Sequence, residues 1–172
     1  MSAALVVVGG PSGVGKTTVG ELLASALNVP FCDADDLHAA ENITRMRAGV
    51  GLDDTARAPW LARVGGWLAE HQQEGGVVAC SALAERYRET LLAAAPQVRF
   101  AMLRADVGEL AARLEQRQGH FMAPELLGQQ LALYEPPGSG EAAAEFDAGP
   151  DPRVTASRVS EWLAACQPSS CD

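Results

Sequence analysis

Short apolar runs alternate along the chain with longer segments in which apolar residues recur at helical spacing. Four of the runs predict buried strands, at residues 5–8, 29–32, 77–81 and 98–103. The longer segments predict helices, at residues 17–27, 37–48, from near 59 to 74, 85–95, 106–118, 124–134 and 154–165. Because strands that alternate with helices pair in parallel, the pattern predicts an α/β fold with a doubly wound parallel sheet.

The pattern weakens after residue 135, where proline, glycine, alanine and acidic residues dominate up to residue 152. Only residues 143–146 could add a strand there, which predicts a five-stranded sheet. The chain has 172 residues, of which 48% are hydrophobic, so it is long enough for one good core and too short for two full domains. We therefore expect residues 1–172 to form a single domain.

A glycine-rich segment follows the first predicted strand. Residues 10–17 read GPSGVGKT and match the phosphate-binding pattern G-x-x-x-x-G-K-[ST] at every fixed position. The strand before it and the helix after it are the context that this motif requires, and together they predict a P-loop NTPase fold. We expect nucleotide binding by Gly10, Pro11, Ser12, Gly13, Val14, Gly15, Lys16 and Thr17.

Within this loop, glycines allow consecutive N–H groups to point at an anion, and the helix N-terminus adds partial positive charge. Lys16 would reach the β and γ phosphates, and the Thr17 hydroxyl would hold Mg²⁺. Lys16 is also the only lysine among 13 basic residues, at a position where a compact ammonium suits phosphate better than a planar guanidinium. The alternative interpretation is a glycine-rich turn that binds nothing.

Acidic residues follow the second predicted strand. Side chains alternate along an extended segment, so Asp33 and Asp35 should point the same way, at the strand end where open parallel sheets bind ligands. We expect Asp33 to serve Mg²⁺ with Thr17, and Asp35 to orient an acceptor hydroxyl and receive its proton. Their assignment could be reversed, and Asp36 is expected only to cap the next helix.

Two arginines, Arg113 and Arg117, lie four residues apart on a predicted helix before a hinge-like break at residues 119–122. This arrangement predicts a small helical lid, at about residues 113–135, that closes over the phosphates. The alternative is a helical hairpin with surface arginines. On the helix at 85–95, by contrast, we expect Arg86 and Arg88 to be solvated.

The formal net charge of −9 argues against a nucleic-acid-binding surface, and no apolar run approaches the roughly 20 residues that span a bilayer. The N-terminal apolar run leads directly into the phosphate loop, so it predicts a core strand and not a signal peptide. The four cysteines lack metal-ligand spacing, and a reduced cytoplasmic protein is the simplest interpretation.

Several classes of phosphate-loop protein are disfavoured by what the sequence lacks. A GTPase requires an Asn-Lys-x-Asp motif, which a chain with one lysine in its phosphate loop cannot contain. A motor-type ATPase would carry an acidic residue at the end of the third strand, where this chain has Cys80 and Ser81. The acidic pair follows the second strand instead, which favours a small-molecule kinase.

The chain resembles the short phosphate-loop family of gluconate kinases, relatives of shikimate kinase, from residue 6 to about residue 137. Beyond the loop, Asp33-Ala34-Asp35 with Leu37-His38 resembles the family's D-G-D-x-L-H-P, and Asn42-Ile43 with Met46 and Gly49 resembles N-I-x-K-M-x-x-G. Further blocks are Leu52, Asp54, Arg57, Pro59, Trp60 and Leu61 (P-L-x-D-x-D-R-x-P-W-L), Cys80 to Leu83 with Tyr87-Arg88 (C-S-A-L-K-x-x-Y-R), and Arg113, Arg117 and Gly119 to Met122 (R-x-x-x-R-x-x-H-F-M).

The resemblance implies transfer of phosphate from ATP, with Mg²⁺, to the 6-hydroxyl of D-gluconate, in a possible homodimer. The acceptor's carboxylate needs a cation, for which Arg57 fits better than Arg45 because it matches the family motif and an arginine fork suits a carboxylate. Asp54 and His38 would address hydroxyl groups, and His120, in the lid motif, is a further residue expected to bind the acceptor. We expect Arg117, with Arg113, to cover the transferring group.

The chain departs from the family pattern at Ala34, Ala39, Arg45, Gly51, Ala56, Ala84 and Gln129-Gln130-Leu131. The missing acid at residue 56 and the missing lysine at residue 84 leave the phosphate chemistry intact and bear on acceptor choice. Two alternatives stay open: a kinase for another small hydroxylated acid such as shikimate, and an ATP-binding regulatory protein without catalysis.

Overall fold

The computed structural model describes residues 3–117 and 125–166. Five strands form one parallel sheet: β1 (Leu5–Gly9), β2 (Phe31–Asp33), β3 (Gly76–Ala79), β4 (Arg99–Arg104) and β5 (Ala143–Asp147). Their spatial order is β2-β3-β1-β4-β5, and every pairing is parallel. The order reverses next to β1, so ligands are expected beyond the carboxyl end of that strand.

The predicted fifth strand is confirmed. It pairs with β4 from Phe100 opposite Ala143 to Arg104 opposite Asp147. Its weak sequence signal has a physical reason, because an edge strand has only one neighbour and exposes much of its surface. Within β5 only Phe146 is buried.

Seven α-helices lie in the described ranges: α1 (Lys16–Leu27), α2 (Ala40–Arg47), α3 (Asp54–Glu70), α4 (Glu85–Ala94), α5 (Val107–Gln116), α6 (Leu126–Leu133) and α7 (Pro152–Ala165). The buried residues form two apolar clusters, one on each face of the sheet. Helices α3 and α4 cover one face, while α1, α5 and α7 cover the other. The predicted doubly wound architecture is thereby confirmed. Within the described ranges, the helices are too short or too polar to span a membrane.

The start of α3 differs from the prediction. The helix begins at Asp54, and Pro59 lies inside it and not in its first turn. The carboxylate of Asp53 accepts a hydrogen bond from the backbone N–H of Ala56 at 2.8 Å, which caps the helix. This cap decides the boundary, and the helix tolerates the proline one turn later.

The predicted helix at 37–48 is also interrupted. A short 3₁₀ helix spans Ala34–Leu37, the backbone is extended at His38 and Ala39, and α2 begins only at Ala40. The prediction that Asp36 caps the following helix was wrong, because Asp33 caps the 3₁₀ helix and α2 has no side-chain cap. The strand therefore gives way to a tight turn directly after Asp33.

Arg88 is the largest departure from the expected burial. Its side chain is only 1% exposed, whereas the sequence interpretation placed it in solvent. Its guanidinium donates to Glu141 Oε2 at 2.6 Å, to Glu141 Oε1 at 2.9 Å, and to the carbonyls of Ala82 and Leu83 at 3.1 Å each. The buried arginine thus supports the segment that follows β3, where Ala82 has a positive φ of 43°.

Candidate active site

The phosphate loop lies at the carboxyl end of β1, in the centre of the sheet. Gly10, Gly13 and Gly15 have positive φ values of 128°, 85° and 98°. Two features exclude a side chain at Gly10. Its φ is strained for any other residue, and an added Cβ would lie 2.4 Å from the carbonyl oxygen of Leu103. The loop wraps around the N-terminus of α1, where free backbone N–H groups and the helix dipole favour an anion.

Lys16 is the first residue of α1 and lies over this loop. Its Nζ donates a hydrogen bond to the carbonyl oxygen of Pro11 at 3.1 Å. Burial lowers the pKa of its ammonium group, and the nearby carboxylates of Asp35 and Asp33 oppose that shift. The negatively charged oxygens of a bound phosphate would stabilise this buried ammonium group.

Thr17 and Asp33 meet beside Lys16. The Thr17 hydroxyl donates to Asp33 Oδ2 at 2.8 Å, and the backbone N–H of Asp35 donates to Asp33 Oδ1 at 3.0 Å. The structure therefore brings Asp33 and Asp35 together through a turn, and not through the strand alternation that the sequence suggested. A hard hydroxyl oxygen and a carboxylate oxygen share one small space here.

The position of Asp35 depends on α3. Trp60 Nε1 donates to the carbonyl of Ala34 at 2.6 Å, and Arg63 donates to that of Leu37 at 2.6 Å, so both ends of the 3₁₀ helix are anchored. Burial, reinforced by Asp33 and Asp36 and opposed by Lys16, raises the pKa of Asp35 to about 6. A carboxylate with such a pKa is suited to receive a proton near neutral pH.

A cavity of about 630 Å³ runs from the phosphate loop to the segment between α2 and α4. Ser12, Lys16 and Thr17 line its nucleotide end, and Asp33 and Asp35 lie in its middle. The opposite end, which we call the acceptor end, is lined by His38, Asp54, Arg57, Trp60, Arg86 and Tyr87. The cavity thus connects the phosphate loop with a carboxylate of raised pKa and with two arginines.

At the acceptor end, three side chains converge on the carboxylate of Asp54. Arg86 donates to it from Nε at 3.0 Å and from Nη2 at 3.2 Å, the Tyr87 hydroxyl donates at 2.5 Å, and Arg57 donates at 3.4 Å. Arg57 also contacts the Tyr87 hydroxyl. Both guanidinium groups lie over the Tyr87 ring, at 4.7 Å for Arg57 and 4.6 Å for Arg86.

His38 lies against Trp60 in this wall, with ring centroids 4.3 Å apart and planes 9° from parallel. Burial lowers the pKa of His38 to about 4, and the positive charges of Arg57 and Arg63 contribute to the shift. The imidazole is therefore neutral at physiological pH. A neutral ring can exchange hydrogen bonds with hydroxyl groups without adding charge.

The remaining predicted site residues have different positions. Arg117 follows α5 and lines the cavity, whereas Arg113 lies outside it, pairing with Glu109 and donating to the carbonyls of Gly13 and Val14 at 3.4 Å each. Arg45 is exposed on α2 and does not line the cavity. His120 and the predicted hinge at 119–122 lie outside the described residues.

Sequence reasoning missed two residues of the cavity wall. The side chain of Arg86 is exposed, as expected, but it also lines the acceptor end of the cavity, which the sequence did not predict. Gln130, on α6, accepts from the backbone N–H of Ser12 at 2.7 Å and donates to the Ser12 hydroxyl at 3.2 Å. Neither contact has a local sequence signal, because the partners are 32 and 118 residues apart.

Comparisons with known proteins agree with this geometry. The family model described as shikimate kinase matches residues 12–132. A gluconokinase of Gluconobacter oxydans is 42% identical over 151 residues, which cover 87% of this chain and 85% of the relative. The chain belongs to the gluconokinase family. Members of this family are kinases, so ATP and a small molecule are the expected substrates.

Two solved structures extend the likeness to the whole fold. The crystal structure of a gluconokinase from Sinorhizobium meliloti is 36% identical and has a TM-score of 0.80, covering 96% of this chain and 98% of that one. A sugar kinase from Janibacter is 34% identical with a TM-score of 0.89, covering 95% and 96%. The P-loop kinase fold predicted from the sequence is confirmed by these neighbours.

Proposed function

We propose that this protein transfers the γ-phosphoryl group of ATP to the 6-hydroxyl of D-gluconate, forming 6-phospho-D-gluconate and ADP. One observation carries the proposal beyond family membership: a single cavity joins the phosphate loop, the carboxylate of Asp35 and the arginine pair of the acceptor end. A sugar acid presents a hydroxyl at one end and a carboxylate at the other. The cavity offers a matching group to each.

At the nucleotide end, the N–H groups of the loop and the Lys16 ammonium hold the phosphates. Phosphoryl transfer needs mainly alignment and neutralisation of charge, and these groups supply both. Arg117 lines the same cavity and stabilises charge that grows on the transferring group. Arg113 supports the loop through its hydrogen bonds to the carbonyl oxygens of Gly13 and Val14.

The donor set beside the loop fits Mg²⁺, a cation that favours oxygen ligands and usually combines one or two carboxylates with waters and substrate phosphates. Thr17 Oγ1 and Asp33 Oδ2 provide two adjacent oxygens, and no cluster of three metal-binding side chains occurs in the described parts of the chain. When bound, the ion would neutralise phosphate charge. We assign Thr17 and Asp33 to hold it, directly or through water.

At the acceptor, Asp35 accepts the proton of the 6-hydroxyl while the oxygen forms its bond to the γ-phosphorus and the bond to ADP breaks. Arg57 binds the acceptor's carboxylate, because an arginine fork matches a carboxylate in two hydrogen bonds. His38, neutral and held against Trp60, addresses a hydroxyl of the chain. All three groups line the cavity.

A coupled ADP-release assay tests the proposal. The acceptors are D-gluconate, D-glucose, shikimate and none, each with ATP and Mg²⁺, and the proteins are the wild type and Asp35→Asn. We expect rapid turnover with gluconate and a kcat lower by about 10²-fold or more in Asp35→Asn, since the proton acceptor is lost. ADP release independent of the acceptor, or faster with shikimate, would overturn the proposed substrate.

The metal assignment has its own test. Asp33→Asn is expected chiefly to raise the Mg²⁺ concentration required for half-maximal turnover, whereas Asp35→Asn lowers kcat at saturating Mg²⁺. The reverse pattern would exchange the two roles. The lid at about 113–135, the single domain, the homodimer and the cytoplasmic location stay predictions.

A further inference from the structure

The acceptor end already contains a carboxylate. Asp54 receives both donors of the Arg86 fork, at 3.0 and 3.2 Å, and a further hydrogen bond from Arg57 at 3.4 Å. Hydrogen bonds from Arg86 and Tyr87 lower the pKa of Asp54, so its side chain is ionised at neutral pH. The arginines that could bind an acceptor's carboxylate are therefore engaged by one from the protein.

The arginine pair does not depend on Asp54 alone for its position. Both guanidinium groups also lie over the ring of Tyr87, and Arg57 is mostly enclosed, with 17% of its side chain exposed. Two cations over one aromatic ring repel each other, so an anion between them is favourable. Any carboxylate of suitable reach could satisfy this requirement.

Asp54, by contrast, has an exposed carboxylate, which is held by Arg57, Arg86 and the Tyr87 hydroxyl. Its side chain is 59% exposed, and it occupies the first position of α3, where Asp53 already provides the cap. Ion pairs at such exposure contribute little, because water competes for both partners. Rotation of Asp54 into solvent therefore costs little once another carboxylate replaces it.

We propose that Asp54 is an internal stand-in for the acceptor's carboxylate, which displaces it from Arg57 and Arg86 on binding. This inference rests on the proposed function and makes Arg86 a second specificity-determining residue. It also replaces the sequence interpretation in which Asp54 binds acceptor hydroxyls. A neutral sugar cannot displace the stand-in, so Asp54 helps to exclude glucose as well as to hold the empty site together.

The two roles of Asp54 predict opposite results for one variant. If Asp54 competes with the acceptor, Asp54→Asn lowers the KM for gluconate by about two- to fivefold, the equivalent of an exposed ion pair, with little change in kcat. If Asp54 binds acceptor hydroxyls, the same variant raises that KM. Asp54→Ala, which removes the side-chain acceptor altogether, should show the larger decrease.

Removal of any negative charge could attract an anionic acceptor, so the control is Asp147→Asn. Asp147 is an exposed aspartate on β5 that pairs with Arg104, does not line the cavity, and changes the net charge equally. We expect its KM for gluconate to equal that of the wild type. A raised KM in Asp54→Asn, or an equal decrease in both variants, would overturn the inference.

Arg86→Ala completes the test, with Arg158→Ala, at an exposed position on α7, as its matched control. We expect a KM for gluconate at least about tenfold higher in Arg86→Ala, as for a charged hydrogen-bonding partner, with an unchanged KM for ATP. An unchanged gluconate KM would contradict the role of Arg86. Absence of turnover with gluconate in the wild type would overturn the proposed function itself. If the wild type turns over gluconate normally but the variants do not behave as expected, only the inference about Asp54 is overturned.

Discussion

The nucleotide end of the cavity consists mainly of backbone groups from one continuous segment, whereas the acceptor end consists mainly of side chains from α3 and α4. The first depends on glycine conformations and a helix terminus, and Lys16, which would bind the phosphates, belongs to the same segment. The second depends on contacts between residues about 30 positions apart, such as Arg86 with Asp54. A binding site for phosphate, which all kinases share, can be local, but recognition of one acceptor requires side chains assembled by the fold.

Helix α6 connects the two ends. Gln130 binds Ser12 of the phosphate loop, while Glu135, just after the helix, accepts a hydrogen bond from the backbone N–H of Glu85 at 2.6 Å. The backbone N–H of Glu135 also donates to the carbonyl of Leu83 at 2.9 Å. The nucleotide and acceptor ends are therefore held in one arrangement by contacts distant in sequence.

The largest expected effect concerns Lys16, at the nucleotide end. Lys16→Met should lower kcat by about 10²- to 10³-fold, as for loss of a group that stabilises transition-state charge, with an unchanged thermal midpoint. Lys16→Arg should lose most of the same activity, because a planar fork cannot replace a compact ammonium. Steady-state ADP release measures both effects. Wild-type activity in the arginine variant would contradict the role given to the compact ammonium of Lys16.

Arg57→Ala tests the acceptor end in the same assay. We expect the KM for gluconate to rise by about 10²-fold, because one partner of a charged, bidentate contact is lost, while the Kd for ATP stays the same. Arg158→Ala is the matched control. If Arg57→Ala weakened ATP binding as strongly as gluconate use, the two ends would not be separate.

Gly10→Ala tests whether the nucleotide end depends on backbone shape. The φ of 128° and the 2.4 Å approach of an added Cβ to Leu103 O predict a loss of about 1–3 kcal/mol in the free energy of unfolding. Urea denaturation measures it. Gly66→Ala is the control, since an added Cβ there meets no atom within 4 Å, and equal effects of the two variants would refute the explanation.

Gln130→Leu tests the connection between the ends. Loss of its two hydrogen bonds to Ser12 should lower the free energy of unfolding by about 1 kcal/mol. Gln129→Leu, at an exposed position on the same helix, should change stability less. Equal urea midpoints for the two variants would show that the hydrogen bonds between Gln130 and Ser12 contribute nothing measurable to stability.

The last prediction concerns the pH dependence of stability. With a pKa of about 4 in the folded state, lower than its ordinary value, His38 binds fewer protons when folded, so its contribution to stability is present above pH 6.5 and is lost as the pH falls toward 4. His38→Phe keeps the stacking on Trp60 and removes this titration. The decrease in unfolding free energy between pH 6.5 and 4.5 should therefore be smaller in the variant than in the wild type.

Asp35 contributes with the opposite sign, because its raised pKa favours the folded state at low pH and that contribution is lost as the pH rises toward 6. It is present in both proteins, so the difference between their urea midpoints at the two pH values isolates His38. Identical pH dependence would show that His38 is solvated in solution.

The sequence alone determined the order of strands and helices and the phosphate loop, and it predicted as site residues Asp33 and Asp35, which both line the cavity. These features depend on local rules: apolar periodicity, glycine at positive φ, and a motif whose eight residues are contiguous. Local rules were less successful at boundaries, where the Asp53 cap outweighed Pro59 and a 3₁₀ turn replaced the start of a helix.

Only the tertiary structure decided the environment of individual side chains. Arg86 and Arg88 are two residues apart on one helix and look equivalent in the sequence, yet Arg88 is buried against Glu141 and Arg86 reaches the cavity to meet Asp54. The physical reason is that a charged side chain is placed by its partner, and both partners lie more than 30 residues away in the chain. The phosphate loop could be predicted because its partners are its own backbone, and the acceptor end could not because its partners come from the rest of the fold.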